Sequence, residues 1–150
     1  MKIGLILFGH LRSYRNTYNS FEELKTILQK PGIELDIFCH TWDIEESVSA
    51  AWWNNGESTH ATSVVNETEF ITKYNPKSCI IETSREFDAP DLGIKSSIPL
   101  AGMYSMLYSQ AKAFELLKNY EKQSAQMYDV IVKTRYDLLY EFTPDRKSVV

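Results

Sequence analysis

Lys133, Arg135 and Asp137 stand at alternate positions where the apolar run Val130-Ile131-Val132 stops abruptly in charge. Side chains of these types support two chemistries. The cations can neutralise an anion, arginine through a planar fork that matches phosphate oxygens. The carboxylate can hold a hard divalent cation, which takes oxygen ligands and often uses only one or two carboxylates beside substrate phosphates. Either arrangement stabilises the negative charge that develops on a departing diphosphate. Gly9 and Arg12 follow a second apolar run. A glycine before a helix lets backbone approach a ligand, and helix N-termini attract phosphate. Arg12 opposes the helix dipole there, and a bound anion would rationalise it. His40 and Trp42 close a third apolar run and can line a base or sugar pocket. Tyr104, Tyr108 and Lys112 recur every four residues, either facing a ligand or forming an exposed row. Plainer readings compete at every position: wet strand ends, a solvated arginine, a core tryptophan and a hydrogen-bonded histidine.

The elements that must position these groups follow from hydrophobic spacing. Ile3 to Phe8 reads as a buried strand and Gly9-His10 as a turn. Leu11, Tyr14, Tyr18, Phe21, Leu24 and Leu28 then recur at helical spacing. Pro31-Gly32 ends that helix, and Leu35 to Trp42 is a second strand. A polar stretch from Asp43 to Glu67 carries Trp52 and Trp53, a lid or a pin for the loop. Glu67 to Tyr74 reads as a short helix and Ser78 to Glu82 as a third strand, followed by polar residues 83 to 97. The strongest helical signal has Pro99 near its first turn and runs to about Tyr120. It carries Met103, Met106, Leu107, Gln110, Phe114 and Leu117 on the face expected to be core, with the methionines as filling. Tyr128 to Thr134 is the fourth strand, expected to be buried on both faces. Alternating strands and helices predict an α/β fold, a Rossmann-like three-layer sandwich with a mainly parallel sheet, in one domain over residues 1–150. Right-handed crossovers put every strand's carboxyl end on one rim, where α/β proteins bind ligands. That rim would gather Gly9, His10, His40, Trp42, Arg135 and Asp137.

Composition narrows the function classes. Sixteen basic against twenty acidic residues give a net charge of -4 without a basic run, which argues against a nucleic-acid-binding surface. No apolar run approaches the roughly 20 residues that span a bilayer, which leaves peripheral membrane association open. The short apolar run after Lys2 ends in His10 and Arg12, unlike a secretion signal. Cys39 and Cys79 lie within apolar runs as small hydrophobes, and a reducing, cytoplasmic setting is expected. Asn66-Glu67-Thr68 matches a glycosylation acceptor that no secretion signal supports. With three histidines and two scattered cysteines, no zinc-type ligand cluster is present in the sequence.

Four segments together resemble glycosyltransferases of the GT-A type, especially bacterial and viral enzymes of capsule and lipopolysaccharide synthesis. They are Gly9-His10-Leu11-Arg12, Asp36 to Trp42, Met103 to Ser109 and Tyr128 to Asp137, in the family's order. The resemblance implies a nucleotide-sugar-binding half-domain that transfers the sugar to a glycan or lipid-linked acceptor. It implies donor contacts from Gly9, Arg12, His40, Trp42, Tyr108, Lys133 and Arg135. In that family an Asp-x-Asp motif holds a divalent cation, Mn²⁺ or Mg²⁺, on the donor diphosphate. Here the motif is matched by Arg135-Tyr136-Asp137, so Asp137 takes the metal-ligand role and the first carboxylate is replaced by Arg. The chain stops soon after the fourth strand, where such enzymes continue into acceptor-binding elements. The expectation is therefore the donor-binding portion of a longer protein, a short gene product that needs a partner, or a remnant without transfer activity, in each case with no assigned catalytic base. The competing expectations are a non-catalytic nucleotide- or phosphate-binding α/β module and a structural interaction domain using the polar loops 43–66 and 83–97.

Overall fold

The computed structural model describes residues 1–46, 63–87 and 100–142. Strands β1 (Lys2–Phe8), β2 (Glu34–Trp42), β3 (Ser78–Glu82) and β4 (Val130–Arg135) form one parallel sheet in the order β3-β2-β1-β4. Helices α1 (Tyr14–Leu28), α2 (Glu67–Tyr74) and α3 (Leu100–Ser124) connect them. Side chains alternate across a strand, and β1 is apolar at both parities because both of its faces are covered. Leu5 and Leu7 join Ile37 and Cys39 against Tyr14 and Phe21 of α1 and Phe70 and Tyr74 of α2. Ile6, Phe8 and Phe38 pack on the opposite face against Ala113 and Leu117 of α3. Burying one such side chain contributes about 1.5–3 kcal/mol. This is an α/β fold, as the alternation of strand and helix spacing predicts.

Register fixes the rim. Phe8 pairs with His40 on one side and with Arg135 on the other, and Trp42 pairs with Glu82. The ends of all four strands therefore lie along one edge. No described helix is long and apolar enough to cross a membrane.

The α2 boundaries follow from capping. Asn66 accepts the Glu69 N–H through its side chain, Glu67 and Glu69 occupy the first turn, Lys73 the last, and Asn75 closes the helix in a left-handed conformation. The glycosylation-like triplet is thus a helix N-terminus. Helix α1 starts at Tyr14 rather than Leu11, because Gly9 (φ 99°) and Arg12 (φ 46°) hold the preceding turn in left-handed backbone. Leu11 is nevertheless fully buried.

Two expectations about burial are corrected. The buried line of α3 is Ser109, Ala113, Leu117 and Glu121, four residues apart, while Met103, Met106, Leu107 and Phe114 are exposed. Close approach explains the choice. A Cβ at Gly4 would stand 2.4 Å from Leu117 Cδ1, so the Leu117 side chain of α3 fills space that only a glycine in β1 leaves open. Strand β4 lies at the edge of the described sheet, and Val130 and Ile131 are exposed despite their apolar run. Trp52, Trp53 and most of both polar loops lie outside the described residues.

Candidate functional site

The rim carries two adjoining groups. The first is built by the end of β4 and the turn after β1. The strand ends at Arg135 and the next two residues form a turn. Tyr136 anchors that turn in the α1/α2 face of the core: its hydroxyl lies 3.2 Å from the Leu7 carbonyl oxygen and 3.1 Å from that of His40, and its own carbonyl accepts from Thr17 Oγ1 at 2.7 Å. With Tyr136 fixed below, Arg135 folds over Asp137. Its Nε donates to Oδ1 at 2.9 Å and its Nη2 to Oδ2 at 2.6 Å. Arg12 Nη1 donates to the same Oδ2 at 3.3 Å. One carboxylate, 11% exposed, thus faces two guanidinium groups, 28% and 32% exposed, and the cluster carries net positive charge.

His10 adjoins this cluster. Its Nδ1 donates to the Ile44 carbonyl at 3.2 Å, and its pKa is lowered to about 4, first by burial and further by the charges of Arg12 and Arg135. The imidazole is neutral at pH 7, its remaining ring nitrogen an acceptor.

Trp42 links the first group to the second. It is 1% exposed, its ring 5.9 Å from that of His10, edge-on to His40 and stacked on Tyr108 at 5.8 Å with an interplanar angle of 19°. Tyr108 donates its hydroxyl to Glu82 Oε2 at 2.9 Å, and its ring lies 5.3 Å from Phe87 and 4.5 Å beneath the Arg85 guanidinium. Behind it, fully buried His40 places Nδ1 2.7 Å from Ser109 Oγ and Nε2 3.6 Å from Glu82 Oε1. Ser109 Oγ also accepts the Gly9 N–H at 2.7 Å. Burial lowers the His40 pKa against the opposing pull of Glu82. The carboxylate favours the proton on Nε2, so the Ser109 hydroxyl donates to Nδ1.

The expected residues thus fall into three sets. Arg12, Arg135 and Asp137 come together in direct contact. Gly9, His40 and Trp42 belong to the same rim as its framework: Gly9 spends its N–H on Ser109, and His40 and Trp42 are wholly buried. Tyr108 is half-buried and stacks on that framework rather than forming an exposed row. Lys133 stands apart. It precedes Arg135 by two residues, about 7 Å along the strand, and lines a shallow apolar groove of about 380 Å³ with Ile6, Leu107 and Phe114. His10 lies on the rim as expected, and the residues that sequence spacing did not single out for this site are Glu82, Arg85, Phe87 and Ser109. The position of Glu82 at the carboxyl end of β3 was a usable signal, as was a serine inside a helical stripe.

A divalent cation would find little free donor capacity at this carboxylate. Both Asp137 oxygens accept from guanidinium groups, and among the described residues no three His, Cys, Asp or Glu side chains group to hold a metal. Unit like charges about 4 Å apart repel by about 4 kcal/mol at an effective dielectric near 20, and a dication doubles that. These side chains fit an anion better than a metal ion. Cys39 and Cys79 are free thiols on paired strands, and burial raises both pKa values, that of Cys79 to about 12. They are protonated and poor nucleophiles.

No family model, no curated protein and no solved structure matches this chain.

Proposed function

We propose that this chain binds a nucleoside-diphosphate sugar, as the donor-binding part of a GT-A-like glycosyltransferase that passes the sugar to a glycan or lipid-linked acceptor. In this reading the sheet and its helices are the Rossmann-like nucleotide-binding half. The observation that carries it is the convergence of Arg12 and Arg135 on Asp137 at the carboxyl rim of a parallel sheet. Ligands of open α/β sheets bind at that rim, and a guanidinium fork matches phosphate oxygens. The Tyr108 and Phe87 rings offer planar surface for a base, with Arg85 as the cation now covering it. His40, Trp42 and Gly9 hold these surfaces in place.

One observation favours a second reading, a nucleotide-binding module without turnover. Asp137, the carboxylate of the cluster, is held by two guanidinium groups and is unsuited to act as a base.

A thermal-shift panel of uridine, guanosine and cytidine diphosphate sugars tests both. A donor at 100 times its dissociation constant adds about 2.7 kcal/mol of stability. Stabilisation with sugar release or transfer supports the enzyme, and stabilisation without either supports the module. No stabilisation by any donor rejects both.

A further inference from the structure

We infer that the diphosphate is gripped without a divalent cation, by the guanidinium groups of Arg135 and Arg12, and that Asp137 is a positioning residue for them and not a metal ligand. This rests on the nucleotide-sugar reading and deepens it by assigning the chemistry of the phosphate subsite.

The geometry divides the Arg135 guanidinium into two edges. Nε and one hydrogen of Nη2 are spent on Asp137. A guanidinium has five N–H donors, so the outer edge, formed by Nη1 and the second hydrogen of Nη2, retains its fork. The contact Nη1 makes is with Met106 Sδ at 4.0 Å, and a thioether is a weak acceptor that a phosphate oxygen outcompetes. Asp137 accepts from both arginines through Oδ2, which sets the two cations side by side on the rim. Tyr136, pinned in the opposite face of the sheet, prevents the carboxylate from swinging away. The carboxylate therefore orients cations. A metal seated on it would have to displace the bidentate pair and sit against two positive groups. The lowered His10 pKa, to which both arginines contribute, is consistent with a positive local potential.

Isothermal titration with inorganic pyrophosphate and with uridine, guanosine and cytidine diphosphates, in chelator and again in Mn²⁺, tests the assignment on the intact chain. Pyrophosphate and at least one nucleotide are expected to bind in chelator, with affinity unchanged by Mn²⁺ within about threefold. Arg135→Lys, which keeps charge but loses the fork, is expected to weaken pyrophosphate about tenfold. Asp137→Ala gives the sharpest contrast. By charge alone, deleting a carboxylate beside the subsite strengthens anion binding. A positioning role weakens it about tenfold in chelator, with partial rescue by Asp137→Asn. A melting curve for each variant separates lost binding from lost fold. Binding that requires Mn²⁺ and disappears in chelator overturns the inference in wild-type protein, whatever the variants do. Tighter pyrophosphate binding by folded Asp137→Ala also overturns it. Metal-independent pyrophosphate binding without any nucleotide binding upholds the clamp and removes the nucleotide reading. Binding of neither probe overturns both.

Discussion

Ser109 Oγ lies 2.7 Å from His40 Nδ1 inside the interface between α3 and the sheet, while accepting the Gly9 N–H at the same distance. One hydroxyl thereby ties the helix, the second strand and the turn after the first strand to each other. It fixes the rim on which the proposed site depends.

Ser109→Ala removes both bonds and leaves a buried imidazole nitrogen and the Gly9 N–H unsatisfied. The expected loss is about 1–3 kcal/mol of stability. Chemical denaturation measures it, and an unchanged midpoint would show that the hydroxyl ties nothing together.

Gly4→Ala should cost about 1–3 kcal/mol through overpacking, since the added methyl meets Leu117 Cδ1 at 2.4 Å and the Tyr128 ring at 3.1 Å. The double variant Gly4→Ala with Leu117→Ala should cost less than the sum of the two single changes, because the truncated side chain makes room. Strict additivity in urea melts would contradict this contact.

Tyr108→Ala should weaken nucleotide binding by about 1–3 kcal/mol, the range for stacking of a base on an aromatic ring, and leave inorganic pyrophosphate untouched. Titration of the two probes separates base from phosphate contributions. Equal loss for both would place the ring at the phosphates.

Stability should fall with acid in a defined window. The His10 pKa is lowered to about 4 in the fold against an ordinary value of 6.5, and that of His40 is lowered too. Between these values the unfolded chain binds a proton that the folded chain refuses. The His10 contribution is intact above pH 6.5, declines as pH falls, and is exhausted below about pH 4. Thermal melts from pH 7.5 to 4.5 test this, and His10→Gln should flatten the slope. An undiminished slope in that variant would assign the acid sensitivity elsewhere.

Asn66→Ala should cost about 1 kcal/mol by removing the cap on the Glu69 N–H. Asn66→Asp should restore it, since aspartate caps equally well beside the positive helix end. Melting temperatures of the pair decide between a cap and an incidental contact.

Much of the architecture was written in local patterns. Ile3 to Phe8 and Leu35 to Trp42 are apolar at both parities, the mark of strands covered on both faces, and both are central in the sheet. Asn66, Asn75 and the Gly32 turn bounded their elements through capping and left-handed backbone, which depend on a few adjacent residues. The alternation of strands and helices was enough to bring Gly9, His40 and Arg135 to one rim, because crossovers between parallel strands put every carboxyl end on the same edge. Long-range packing governed the rest. On helix α3 the apolar spacing pointed to a face of Met103, Met106, Leu107, Phe114 and Leu117, of which Leu117 is buried, in line with Ser109, Ala113 and Glu121. Leu117 packs into the space that Gly4, 113 positions away, leaves without a Cβ, and no local pattern announces that contact. Val130 and Ile131 read like a central strand but lie at an edge of the described sheet, since no local pattern states which strand has a neighbour. The pairing of Asp137 with two arginines was equally hidden. Arg135 is two residues from Asp137, but Arg12 is 125 residues away, and only the folded chain brings its guanidinium within hydrogen-bonding reach of the same carboxylate.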